Sequence, residues 1–340
     1  MNITFMIGNG FDLQLGLKTR YIDFYNYYIA KNNNDMIAKS INENYDLWSD
    51  LEVGLGEFTS TLSNNDIESF LDSKRNLEKH LISYLRNEEN SYIVDNNAAK
   101  AFRNGIISLS NYLPDNIKNR YNRMISLLGN SFSYKFISFN YTKVLDQLIE
   151  ITQNDFKPFS SHVSNNTGYN DKIVTPIHVH GNLKSGLIIG VNDETQIKNK
   201  ALQKDTSLTD YMIKPKLNDY SANNINSIIK NTIDESEFIF IFGLSMGRTD
   251  DYWWSYLVKW LTMSNDHTLV IFAHEPDILM ASAQEVLRLN NRFRKMILGK
   301  RNDINNNTKD SLRENIIVVP NSDIFRGIKL NSSNKKLQMV

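Results

Sequence analysis

Five short apolar segments, residues 3–7, 136–139, 238–242, 268–272 and 316–319, constrain this chain more than any other feature. Each is β-branched or aromatic, and most stop at a glycine or a polar turn. A strand covered on one face alternates apolar and polar residues, whereas one covered on both faces reads as an unbroken apolar run. The five therefore read as buried neighbours in a mainly parallel sheet flanked by helices. Residues 176–180 form a less apolar sixth candidate, and residues 187–191 a seventh, as a hairpin partner.

Between the first two segments, residues 17 to about 130 have helical texture. Tyr21, Phe24, Tyr25 and Tyr28 fall at helical spacing, as do Trp48, Leu51, Leu55 and Phe58, then Ile67, Phe70 and Leu71. Asn-rich stretches at 32–34 and 64–66 read as loops between helices. The expectation is an α/β, Rossmann-like fold with a large helical insertion after the first strand. With 340 residues, 41% of them hydrophobic, one large core is affordable, so residues 1–330 are read as a single α/β domain and 331–340 as a polar tail.

Lys+Arg and Asp+Glu are equal at 38 each, so no global field draws the chain to nucleic acid or an anionic membrane. The basic stretch holding Arg292, Arg294, Lys295, Lys300 and Arg301 reads as a solvated helix face. The absence of cysteine excludes disulfides, Cys-ligated zinc and iron–sulfur clusters. No apolar run approaches the roughly 20 residues of a membrane span. The start, Met1-Asn2-Ile3-Thr4-Phe5, lacks the charged region of a signal peptide. A cytoplasmic location away from membranes is expected.

Four polar motifs follow candidate strands. Gly8-Asn9-Gly10-Phe11-Asp12 follows the first; such a glycine pair lets backbone N–H groups approach a phosphate, and Asp12 suits a helix cap. The full Gly-x-Gly-x-x-Gly fingerprint is absent, and a tight turn accounts for the glycines equally well. Phe139-Asn140-Tyr141-Thr142 ends the second strand, where Asn140 can meet a ribose hydroxyl or simply cap a helix. In His178-Val179-His180-Gly181-Asn182 the two imidazoles share a strand face. They read either as metal ligands with Asp193, or as one general base and one structural histidine. Gly243-Leu244-Ser245-Met246-Gly247 follows the strongest strand, with Gly243 and Ser245 as phosphate or ribose contacts. Asp250 opens the next helix, whose Tyr252, Trp253 and Trp254 read as core.

Together these motifs resemble the AbiH family of phage abortive infection proteins. The resemblance rests on Ile7-Gly8-Asn9-Gly10-Phe11-Asp12, Tyr21-Ile22-Asp23-Phe24, Trp48-Ser49-Asp50-Leu51-Glu52, Phe139-Asn140-Tyr141-Thr142, His178-Val179-His180-Gly181 and residues 243–250. Family members often carry His where this chain has Leu244. The motif order is also similar to that of sirtuin-like NAD-binding domains of bacterial defence, with Thr142 in place of an Asp and Asp12 in place of a small residue. That likeness implies NAD as ligand or substrate, binding or hydrolysis rather than deacylation, with His180 as base, Asn140 on the ribose, and Gly8, Asn9, Gly10, Phe11, Asp12, Gly243, Ser245 and Asp250 around the nucleotide. No metal is expected on this reading. A phage-derived trigger and self-association are the partners it admits. Two other readings stand beside it: a metal-dependent phosphoesterase or nuclease using His178, His180 and Asp193, and a non-catalytic sensor of a nucleotide or a phage protein.

Overall fold

The structure, a computed structural model, describes residues 1–128, 131–156, 159, 171–220, 224–276 and 282–333. The apolar segments become β1 (Asn2–Ile7), β2 (Ser133–Ser138), β5 (Phe238–Phe242), β6 (Thr268–Ala273) and β7 (Ile316–Pro320). Two short strands, β3 (Lys172–Ile173) and β4 (Ile177–His178), both pair with β2. The order is β7-β6-β5-β1-β2-β3, and every pairing is parallel.

Continuous apolar runs are explained by burial on both faces. On one face Phe5 stands opposite Phe136 and Phe240, with ring centroids 5.3 and 5.1 Å apart. These rings pack on α6 (Asn96–Ile107), α7 (Asp115–Leu128) and α8 (Val144–Asp155) through Phe102, Tyr121 and Leu148. On the other face Met6, Ile137, Ile239 and Ile271 meet α11 (Ile225–Asp234), α12 (Asp251–Met263) and α13 (Ala283–Leu298). Trp253 and Trp254 are buried there, as expected.

A helical region does follow β1, but it divides. After the short α1 (Gly10–Gln14), helices α2 (Tyr21–Lys31), α3 (Met36–Glu43), α4 (Leu51–Phe58) and α5 (Ile67–Asn90) build a second core. Asp35, Asp50 and Asp95 accept backbone N–H bonds at the starts of α3, α4 and α6. The second core is completed by residues distant in sequence, including Leu183, Ile189, Leu208 and Ile213. Two of these flank or belong to α9 (Thr206–Met212), which leads into α10 (Lys214–Tyr220). Trp48 is fully buried in this core and its indole N–H donates to Ser40 Oγ at 3.0 Å. Among the described helices of the insertion, α6 and α7 lie on the sheet.

The expected hairpin at 187–191 falls earlier, with Gly181–Asn182 pairing Gly186–Leu187. The expected tail begins as a strand: Asn331–Ser332 pairs antiparallel with Tyr92–Ile93, while residues 334–340 lie outside the described residues. Among the described residues no helix is long and apolar enough to cross a membrane.

Candidate functional site

Chain order reverses between β1 and β5. β1 leads on to β2 on one side, and β5 leads on to β6 and β7 on the other, so the loops leaving the sheet diverge and open a crevice. A cleft of about 1120 Å³ occupies this position, roofed on one side by the α2–α4 lobe.

Its floor is a contact between two glycine loops. Gly8 N–H donates to Phe242 O at 2.9 Å and Gly10 N–H to Gly243 O at 2.8 Å. A Cβ on Gly10 would lie 2.6 Å from Gly243 Cα, and Gly243 has φ +69°. The glycines therefore serve close backbone approach, and the N–H groups of Gly8 and Gly10 are spent on carbonyls instead of being offered to a phosphate. Phe11 is core, packed edge-on to Phe242 and Phe325. The Asn9 amide is engaged with Thr19, accepting from its hydroxyl at 2.6 Å and donating to its carbonyl at 3.1 Å. Gly10, Asn9, Gly243 and the exposed Ser245 do line the cleft. In the same loop Met246 has φ +52°, a costly conformation for a side chain of its size.

Asp12 does not cap α1. Its carboxylate is buried and accepts from Asn140 Nδ2 at 2.9 Å and Thr142 Oγ1 at 2.6 Å. Burial pushes it up to about 7, against those hydrogen bonds. Asn140 is likewise no cap, since Lys143 precedes α8. With its amide N–H directed to Asp12, the Asn140 Oδ1 is buried at the cleft without a protein partner.

The two histidines part company. His178 Nδ1 lies 2.9 Å from the Asn140 carbonyl and Nε2 3.0 Å from Asp146 Oδ2, so both ring nitrogens are engaged in holding the Asn140 loop. The His180 Nε2 lies 2.8 Å from Asp250 Oδ1. An ionised carboxylate only accepts, so Nε2 carries a proton, and a neutral ring then has its lone pair on Nδ1. That Nδ1 is buried and has no partner in the protein. His180 lines the cleft beside Asn140 and Asp250.

Asp250 precedes α12 without capping it through its side chain. The same Oδ1 that meets His180 accepts from Lys214 Nζ at 2.8 Å, and Lys214 also donates to Glu52 Oε2 at 2.6 Å. Burial raises Asp250, but Lys214 and His180 outweigh it and hold the carboxyl well below the usual range. Burial pulls the Lys214 ammonium down, and Asp250 and Glu52 more than restore it. Glu52 is raised by burial, with Lys214 opposing. Sequence reasoning gave Lys214 and Glu52 no role. Their signal was a charge inside an apolar context, Met212-Ile213-Lys214 and Leu51-Glu52-Val53, which becomes informative only once burial is known.

The ligand set of the metal reading does not assemble. His178 and His180 serve different carboxylates, and Asp193 caps a short 3₁₀ turn through Thr195 N–H at 2.9 Å. Among the described residues no group of three or more His, Asp or Glu is arranged to hold a metal.

A family model described as Bacteriophage abortive infection AbiH matches residues 4–272. No curated protein matches the chain. The match runs from β1 into β6 and takes in the loops after β1, β2, β4 and β5 that meet at the cleft, and the chain belongs to the bacteriophage abortive infection AbiH family.

Proposed function

We propose that the cleft binds NAD⁺ and hydrolyses the bond between nicotinamide and ribose. Family membership makes this a protein of abortive infection, a form of antiphage defence; depletion of NAD⁺ would halt an infected cell. One observation carries the reading: two buried polar atoms on residues that line the cleft, Asn140 Oδ1 and His180 Nδ1, have no partner in the protein. Buried polar groups are nearly always satisfied, so exceptions at a crevice ask for a ligand.

An amide oxygen and an imidazole lone pair suit this reaction. The C1′–N bond breaks with its electron pair going to nicotinamide, which leaves neutral, and the ribose passes through a cation-like state. Asn140 Oδ1 accepts from a ribose hydroxyl and fixes the ring. Water adds at C1′ and gives its proton to His180 Nδ1, with Asp250 holding the ring and stabilising the imidazolium. Because the Gly8 and Gly10 N–H groups are engaged, the pyrophosphate is met by side chains. Two guanidinium groups line the cleft, Arg20 and Arg292, and Arg292 already pairs with Glu275, which leaves Arg20 as the phosphate contact.

The test is incubation of the purified protein with NAD⁺, with and without EDTA, followed by quantification of nicotinamide and ADP-ribose. Equal yields of both products, unaffected by EDTA, are expected. NAD⁺ retained by the protein but recovered unchanged would favour a sensor instead, and loss of activity with chelator would favour a metallohydrolase.

A further inference from the structure

The ion cluster behind His180 is larger than orientation of one imidazole requires. Glu52 comes from α4 in the helical lobe, Lys214 opens α10, Asp250 precedes α12, and His180 follows β4. Lys214 is 1% exposed and Glu52 6%. Both are pinned by backbone: Lys214 N–H donates to Val191 O at 2.9 Å, and Gly190 N–H lies 3.4 Å from Glu52 Oε1.

Such a cluster is poorly explained as a stabiliser. Removing charges from water costs more than their mutual attraction usually returns, and apolar side chains of similar size often do better. Its geometry instead converges on one atom, since Asp250 Oδ1 accepts from both Lys214 and His180. Two donors on one carboxylate oxygen leave it little freedom to rotate, and its orientation sets that of the imidazole.

We infer that Lys214 and Glu52 are positioning residues that act on His180 through Asp250, so that the helical lobe completes the reaction centre. Lys214 fixes the Asp250 carboxylate against the His180 Nε2–H, and Glu52 fixes Lys214. The lobe thus contributes to the chemistry without either side chain acting on substrate. The kinetic part of this inference rests on the proposed role of His180; the positioning of its ring does not.

The experiment therefore has two arms, applied to wild type, Lys214→Met and Glu52→Gln in the full chain. In the first, ¹⁵N-histidine NMR reads the tautomer of His180, assigned by the signals missing from His180→Ala. Wild type is expected as the Nε2–H tautomer, and Lys214→Met as a mixture of tautomers. Glu52→Gln, nearly isosteric, is expected to shift the same signals less and stands in for Lys214→Met should that variant not fold. In the second arm, NAD⁺ hydrolysis is expected to lose about 100-fold in kcat for Lys214→Met, the scale of a misplaced catalytic group, with KM nearly unchanged. Loss confined to thermal stability, with His180 signals and kcat as in wild type, would overturn the inference. If wild type leaves NAD⁺ intact, the proposed reaction fails, and the NMR arm alone decides: altered His180 signals uphold the positioning role and unaltered ones refute it.

Discussion

Burial and hydrogen bonding pull Asp12 in opposite directions, and burial wins. An unfolded aspartate titrates near 3.8, the folded one near 7. The native state holds this proton more tightly, so the contribution is fully present below about 4 and is lost as pH rises to about 7. Asp12→Asn should remove this dependence. Denaturant melts between pH 4 and 7 should show wild type losing on the order of 4 kcal/mol relative to the variant. A parallel pair of stability curves would mean that Asp12 is ionised throughout. Thr142 and Asp12, the two departures from the sirtuin-like pattern, are here one arrangement: the carboxylate sits on α1 and the hydroxyl on the loop after β2, joined at 2.6 Å. The neighbouring polar pair, Asn140 and His180, bears on the proposed reaction directly. His180→Ala and Asn140→Ala should each lower the rate of NAD⁺ hydrolysis by roughly 10²–10⁴-fold while leaving the fold intact. His178→Ala, which cuts the ties to Asp146 and the Asn140 carbonyl, should instead lower the melting temperature more than the rate.

Strands were the most readable elements, because burial on both faces leaves only apolar side chains in β5 and mostly apolar ones in β1 and β6. β3 and β4 carry two residues each, too few to show any period, and residues 176–180 accordingly shrink to Ile177–His178. Helical spacing located α2, α4 and α5 but not the surface they would cover, since the core that holds Trp48 and Phe70 is completed by Leu183 to Ile213, more than a hundred residues later. The site was legible as a set of loops at strand ends. Its hydrogen bonding was not, because Asp12–Asn140 and Glu52–Lys214 join residues 128 and 162 positions apart. The glycine loops show how one motif supports two meanings: the pair at 8 and 10 fits a phosphate cradle, and the contact with Gly243 spends its N–H groups. Gly243→Ala introduces a methyl 2.6 Å from Phe11 N at φ +69°. It should cost about 1–3 kcal/mol in urea melts, the range of an overpacked core. A neutral outcome would show that the two loops can separate.

Two cores meet along the cleft, and neither is complete in any one stretch of chain. The sheet core draws on residues from Ile3 to Ile328, and the lobe core on residues from Phe24 to Ile213. β1 lies in the middle of the sheet, yet its neighbours begin at Ser133 and Phe238. Synthesis therefore delivers the central strand first and its second flank only after more than two thirds of the chain has been made. Until then one edge of a largely apolar strand is unpaired, and loop closure over such distances makes pairing slow. Refolding from urea should be correspondingly slow, with β1 amides among the last to gain protection in pulsed hydrogen exchange. A message cut short at any point before residue 238 would release a chain with an open β1 edge, fit for aggregation or proteolysis and not for partial activity.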